Sequence, residues 1–215
     1  MELSLSDVAV RLPGAADLLF RIPSLRIPSG SRMLIHGASG KGKTTFLHLL
    51  AGQFPPETGT VAVDGVSWAD RTPETRCRLR RGRFGLLFQQ HNLLEHLDAV
   101  ENVLLGFPGR PAAAEKDAAR RALIRLGLES RLDRKAGLLS PGERQRAALA
   151  RILAFPPDVI LADEPTSSLD RDNAESVIRA LCEAAAGRTL VVVSHDERIR
   201  RHFDAVRDFA ELTAP

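Results

Sequence analysis

The stretch Gly37-Ala38-Ser39-Gly40-Lys41-Gly42-Lys43-Thr44-Thr45 constrains the rest of the chain more than any other. It spells G-x-x-x-x-G-K-T, with the apolar run Met33-Leu34-Ile35 before it and Phe46-Leu47-His48-Leu49-Leu50 after it. Strand, glycine-rich loop and helix in that order make a phosphate-binding loop. Glycines let backbone N–H groups turn inward around phosphate oxygens, and the helix that follows presents its positive N-terminus to the same anion. Lys43 supplies a point charge for the β- and γ-phosphates, and the Thr44 hydroxyl is placed to ligate Mg²⁺.

The 215 residues could hold one large domain or two small ones, the 44% hydrophobic content is ample for a packed core, and no repeat or low-complexity segment divides the chain. Cys77 and Cys182 match no metal or redox spacing, which points to a reducing cytosolic setting. No apolar run approaches the ~20 residues needed to cross a bilayer, and Met1-Glu2-Leu3-Ser4 lacks the basic and apolar regions of a signal peptide. The chain is therefore expected to be soluble by itself. Arginines at 71, 76, 78, 80, 81 and 83 face one acid, Glu74, and no aromatic residue interrupts the run to stack a base. That composition fits a solvated helix face better than a nucleic-acid or lipid patch.

Glu2 to Leu12 alternates as a strand with a one-residue slip near Asp7; Leu18, Phe20 and Ile22 alternate again before Pro23; and Gly59 to Val66 reads as a strand with a turn at Asp64-Gly65. Gly85 to Phe88 reads as a buried strand leading into Gln89. Between His91 and Leu139 the pattern is helical: Ala118, Ala119, Ala122, Leu123 and Leu126 share a face, and Gly127 is placed as the cap. Two continuous apolar runs follow, Val159 to Ala162 and Leu190 to Val193, with a helical spacing over Ala174, Val177, Ile178, Leu181 and Ala185 between them. Such runs are parallel strands buried on both faces, with ligands at their C-terminal ends. The expected fold class is α/β: a P-loop NTPase core with a mostly parallel sheet, an N-terminal antiparallel β-subdomain and an inserted helical subdomain at about 91–139, all within one domain of 1–215.

The first apolar run ends in Asp163-Glu164 and the second in Ser194-His195. Beside a phosphate loop, Asp163 fits a Mg²⁺ role, directly or through water, and Glu164 a general base that polarises the water attacking a γ-phosphate. His195, at the next strand end, is placed to contact that phosphate.

With these residues in view the chain resembles the nucleotide-binding subunit of an ABC transporter. Besides the phosphate loop at 37–45 it has Gln89 at the Q-loop position, Leu139-Ser140-Pro141-Gly142-Glu143-Arg144-Gln145-Arg146 resembling the signature, Asp163-Glu164-Pro165-Thr166 as Walker B, Ser167-Ser168-Leu169-Asp170 as D-loop and His195 as switch histidine. Six ordered motifs are far more specific than any one. The phrase Phe88-Gln89-Gln90-His91-Asn92-Leu93-Leu94 and Ala99-Val100-Glu101-Asn102-Val103 look most like the branch of lipoprotein-release, macrolide-export and cell-division ATPases.

The resemblance implies ATP and Mg²⁺ as ligands. Glu164 and His195 would be catalytic, Thr44, Gln89 and Asp163 would serve the metal, and residues 37–45, Gln89, Ser140, Gly142, Glu143 and Asp170 would surround the nucleotide. It implies a head-to-tail homodimer, each ATP lying between the phosphate loop of one subunit and the signature of the other. It also implies an integral-membrane permease as partner, no nucleic acid, and a cytoplasmic location against the inner face of the membrane. A regulatory ATPase that gates a membrane partner without moving a solute is the alternative, and a soluble ABC ATPase acting on nucleic acid the less favoured one.

Three departures stand out. The adenine-stacking aromatic that the family carries at the end of the first strand falls on Leu12, in a chain without tyrosine, with Phe20 as the remaining candidate platform. The signature has Pro141-Gly142 for Gly-Gly, and Ser31-Arg32 stands for Gly-Glu before the phosphate-loop strand. Ser140-Pro141-Gly142-Glu143 still reads as a helix start, with Ser140 as N-cap, Pro141 first in the helix and Glu143 completing a capping box.

Overall fold

A computed structural model describes residues 1–88, 92–107, 109–167 and 169–213. Its elements run β1 (Leu3–Val10), β2 (Phe20–Ile27), β3 (Arg32–His36), α1 (Lys43–Leu50), β4 (Thr58–Val63), β5 (Val66–Ser67), α2 (Pro73–Arg83), β6 (Phe84–Leu87), α3 (Ala99–Leu104), α4 (Ala113–Arg125), α5 (Pro141–Ala154), β7 (Val159–Asp163), α6 (Arg171–Ala184), β8 (Thr189–Ser194), β9 (Ala205–Asp208) and α7 (Phe209–Leu212). Two sheets result: an antiparallel one in the order β2-β1-β4-β5 and a parallel one in the order β6-β7-β8-β3-β9.

The antiparallel sheet contains the slip expected near Asp7. Pairing of β1 with β4 jumps between Ser6 and Ala9, and Asp7 takes φ +50°. Opposite it sits Gly59 at φ +83°, where an added Cβ would stand 2.3 Å from the Asp7 carbonyl oxygen, so only glycine fits against the bulge. Strand β2 runs through Pro23 to Ile27, because an edge strand can lose one N–H without breaking a ladder. The Asp64-Gly65 turn forms with both residues at positive φ, which joins β4 and β5 as a hairpin.

The parallel sheet separates two apolar layers through the period-2 alternation of its strands. Leu34, Ile160, Ala162, Leu190 and Val192 face the layer that holds α5 and α6. Met33, Ile35, Leu161, Val191 and Val193 face α1 and the antiparallel sheet. Every residue of β7 and β8 is buried, and each large aliphatic side chain so removed from water contributes about 1.5–3 kcal/mol.

In the helical stretch Ala119, Ala122, Leu123 and Leu126 are buried against α5 residues such as Ala147 and Leu149, and Gly127 caps α4 at φ +71°. The arginine run folds as α2, with Thr72 as N-cap and no buried residue. Arg71, ahead of the helix, donates to the Val63 carbonyl, and within it Arg80 donates to the Gly52 carbonyl and Arg83 to the Asp158 carboxylate. Among the described residues no helix is long and apolar enough to cross a membrane.

The parallel register decides where chemistry collects. His36 pairs with Ser194, and Val193 pairs with both Ile35 and Asp163. Strands β3, β7 and β8 therefore end level with one another, which delivers the phosphate loop, the carboxylates and the histidine to one edge.

Candidate functional site

The loop after β3 wraps back on itself before α1 begins. Gly42 is the residue before the helix, at φ +96°, and a Cβ there would stand 3.0 Å from Phe20 and 3.1 Å from Leu19, so the loop lies close against the start of β2. No side chain caps α1, which leaves its first N–H groups directed at the loop's interior, as anion binding requires. The Lys43 side chain is buried, and its Nζ donates to the carbonyls of Gly37 at 2.7 Å and Ala38 at 2.9 Å. Ser39, Gly40 and Lys41 are exposed at the loop's rim.

Across the loop lie the two acids. Thr44 Oγ1 donates to Asp163 Oδ2 at 2.7 Å. Asp163 is 3% exposed, and burial pushes its carboxyl above the ordinary range while the Thr44 bond pulls the other way. A buried carboxylate beside a hydroxyl is a hard oxygen pair that suits Mg²⁺. Glu164 has left the strand: its φ is +46°, a conformation worth about 1–3 kcal/mol of strain, while its N–H still donates to the Val193 carbonyl at 2.9 Å.

The Glu164 carboxylate is held from three sides. Oε2 accepts from Ser194 Oγ at 2.9 Å and from the His195 N–H at 3.4 Å, and Oε1 lies 3.0 Å from His195 Nδ1 and 3.7 Å from Lys43 Nζ. A carboxylate offers no hydrogen, so Nδ1 is the protonated ring nitrogen in this contact. The His195 side chain is 60% exposed and turns its other face to solvent.

These groups line one cavity of about 300 Å³. It brings together Ser39, Gly40, Gly42, Lys43, Thr44 and Thr45 with Asp163, Glu164 and His195, and Leu12 and Leu19 close its apolar end. Phe20 is not the platform: it is 5% exposed and packs edge-on against Phe209, ring centres 5.5 Å apart. The aliphatic pair is what the cavity offers a base.

Other predicted residues lie outside this cavity. Ser140 caps α5, its Oγ accepting from the Glu143 N–H at 3.3 Å while Glu143 Oε2 accepts from the Ser140 N–H at 2.8 Å, with Pro141 first in the helix. Glu143 also accepts from Arg131 at 2.7 Å, and the Ser140 N–H, ahead of Arg131, holds its carboxyl below the usual range. Gly142 has Leu169 as neighbour. Asp170 caps α6 through the Asn173 N–H at 2.9 Å, the main cause of its lowered carboxyl. Gln89 lies outside the described residues.

The structure adds groups to which the sequence reading assigned no role. Ser194 holds Glu164, Leu19 joins Leu12, and buried Gln145 donates to the Pro165 carbonyl, tying α5 to the segment after Glu164. Thr166 Oγ1 donates to Asp196 at 3.1 Å, linking the segments after β7 and β8. A small polar residue closing an apolar strand was the available signal for Ser194.

A family model described as ABC transporter matches residues 20–167. The lipoprotein-releasing system ATP-binding protein LolD of Legionella pneumophila (strain Paris) is 41% identical over 187 residues, 85% of this chain and 82% of that protein. The macrolide export ATP-binding/permease protein MacB of Burkholderia lata is 38% identical over 214 residues, 97% of this chain but 31% of that longer protein. Among solved structures, a dimeric structure of MJ0796, described as a bacterial ABC transporter cassette, superposes with a TM-score of 0.87 at 32% identity, covering 95% of this chain and 92% of that one. A dimeric post-hydrolysis state of the same cassette, bound to ADP and Pi, superposes with a TM-score of 0.86 at 31% identity.

Proposed function

The chain belongs to the ABC transporter family and is an ATP-binding, ATP-hydrolysing subunit of it; from that premise we propose that it drives a separate membrane permease and that the cavity's residues divide the hydrolysis among them. The observation that carries the reading is the meeting of Lys43, Thr44, Asp163, Glu164 and His195 in a single cavity at the ends of three strands.

Lys43 binds the β- and γ-phosphates, exchanging its two loop carbonyls for phosphate oxygens, while the free N–H groups of α1 face the same anion. Thr44 and Asp163, with Gln89 as a third oxygen donor, hold Mg²⁺, which when bound neutralises charge on the phosphates. Glu164 takes a proton from the attacking water as oxygen bonds to the γ-phosphorus and the bond to the β-phosphate oxygen breaks, giving ADP and inorganic phosphate. His195 orients Glu164 through Nδ1 and reaches the γ-phosphate from the rim.

Ser140, Gly142 and Asp170 line no part of the cavity, and this supports a head-to-tail pair in which the second copy's signature closes over the ATP. Ser140 suits that role because its oxygen already accepts the Glu143 N–H, which leaves the hydroxyl hydrogen free to donate outward. Residues 91–139 are proposed as the helical subdomain through which a permease is engaged. The chain then works peripherally, on the cytoplasmic face of a membrane it does not cross. Its net charge of +3 and the bracing role of Arg71, Arg80 and Arg83 favour no nucleic-acid partner.

Glu164→Gln tests the reading. The amide keeps the shape but is a poor base, so ATP should still bind, turnover should fall at least a hundredfold, and an ATP-bound dimer should accumulate on size-exclusion chromatography. Unchanged steady-state hydrolysis would refute the assignment.

A further inference from the structure

Ser194 closes β8, is fully buried, and has no part in the scheme above. Its oxygen is engaged twice: Oγ accepts the Asp196 N–H at 3.0 Å and lies 2.9 Å from Glu164 Oε2. The Asp196 amide occupies a lone pair and the carboxylate has no hydrogen to give, so the serine proton is directed at Glu164.

We propose that Ser194 is a positioning residue for hydrolysis, pinning the Glu164 carboxylate so that Oε2 faces the sheet and Oε1 faces the cavity. The proposal rests on Glu164 being the base. A carboxylate turns easily about its last torsion, because that rotation is broad and two-fold. Of the groups that hold it, His195 is largely exposed, whereas Ser194 ends a central strand buried between β7 and β3. An O–H donor to an ionised acceptor is among the stronger hydrogen bonds, and here its donor is fixed by the sheet. Without it the carboxylate is free to turn toward Lys43, 3.7 Å from Oε1 already, and to form an ion pair that lowers its capacity to accept a proton. Misplacing a reacting group by about 1 Å can cost on the order of a hundredfold in rate.

The test measures ATP hydrolysis, ATP affinity and thermal unfolding midpoint for the full chain carrying Ser194→Ala, Ser194→Cys or Glu164→Gln. Cysteine nearly keeps the volume but is a weak donor, so it tests the bond even where alanine disturbs packing. Both serine variants should lose at least tenfold in kcat while KM and ATP affinity stay within twofold. A cysteine variant that turns over within twofold of the natural protein, or that loses ATP affinity in proportion to kcat, would overturn the proposal alone, provided Glu164→Gln is inactive. Normal turnover by Glu164→Gln would instead remove the base assignment and this proposal with it.

Discussion

Thr44 and Asp163 stand 119 positions apart in the chain, yet the threonine hydroxyl donates to the aspartate at 2.7 Å. The bond joins the first turn of α1 to the last residue of β7, so the phosphate loop and the acidic strand end are fixed to each other directly. Both oxygens that a small hard cation would need are already side by side.

Replacing Asp163 by Asn keeps the hydrogen-bond acceptor and removes the charge. ATP affinity measured with Mg²⁺ should fall at least tenfold, about 1.4 kcal/mol, whereas affinity measured in a metal chelator should change less than twofold. Titration calorimetry under both conditions separates the outcomes, and an equal loss in both would mean that Asp163 acts on the nucleotide rather than on the metal.

Leu12 and Leu19 line the cavity and would give a base apolar contact without the π-face that strengthens stacking, and neither side chain carries a polar group to read a base edge. ATP and GTP should therefore be hydrolysed within about tenfold of each other in kcat/KM, a gap of about 1.4 kcal/mol. Leu12→Tyr should tighten the binding of both purine nucleotides. A natural preference for ATP above a hundredfold would show that some other group reads the base.

Pro141 occupies the first position of α5, where its missing N–H has no helical partner and its fixed φ suits the turn. Pro141→Gly should change ATPase activity by less than about fivefold, or 1 kcal/mol. Ser140→Ala removes both a cap, worth about 1 kcal/mol of stability, and the hydroxyl proposed to reach phosphate. Ser140→Asp, which restores the cap but brings a negative charge, should recover the unfolding midpoint and not the activity. Recovery of both would deny Ser140 any contact with phosphate.

Glu175 accepts from Arg179, Arg201 and His202, which links α6 to the turn after His195. These bonds, that from Arg179 foremost, lower its carboxyl from 4.5 to about 2. A depressed folded-state value means that the stabilisation is present above about 4.5 and is lost as pH falls toward 2. Urea unfolding across that interval should show a shallower loss of stability for Glu175→Gln than for the natural chain. Parallel curves would exclude Glu175 from the acid response.

Local signals carried much of this into the sequence. The phosphate loop announces itself because glycines, lysine and threonine must be contiguous there, and the slip near Asp7 shows in the broken alternation of Leu3, Leu5, Val8 and Val10, whereas the place of Gly59 against it does not. The capping box at Ser140 and Glu143 is equally local. Ser194, Leu19 and Gln145 were not assigned because their partners, Glu164, the loop at Gly42 and Pro165, come near only through tertiary folding. Alternation places Phe20 on a strand, as found, but its burial against Phe209, nearly two hundred positions away, is not legible locally.

Because β3, β7 and β8 end at one level, nucleotide binding also reports on assembly of the chain. The register Ile35 to Val193 to Asp163 is built wholly from parallel pairings between segments distant in sequence, the kind of contact that forms late because long loops must close first. The antiparallel sheet, by contrast, lies within residues 3–67 and needs no part of the chain beyond them for its pairings. A chain that ends before β8 can complete that sheet, yet its β3 lacks both of its neighbours, β8 and β9, and it has neither Ser194 nor His195 to set against Glu164. The phosphate loop and the acidic strand end are therefore brought level once residues 189–194 have entered the sheet between them.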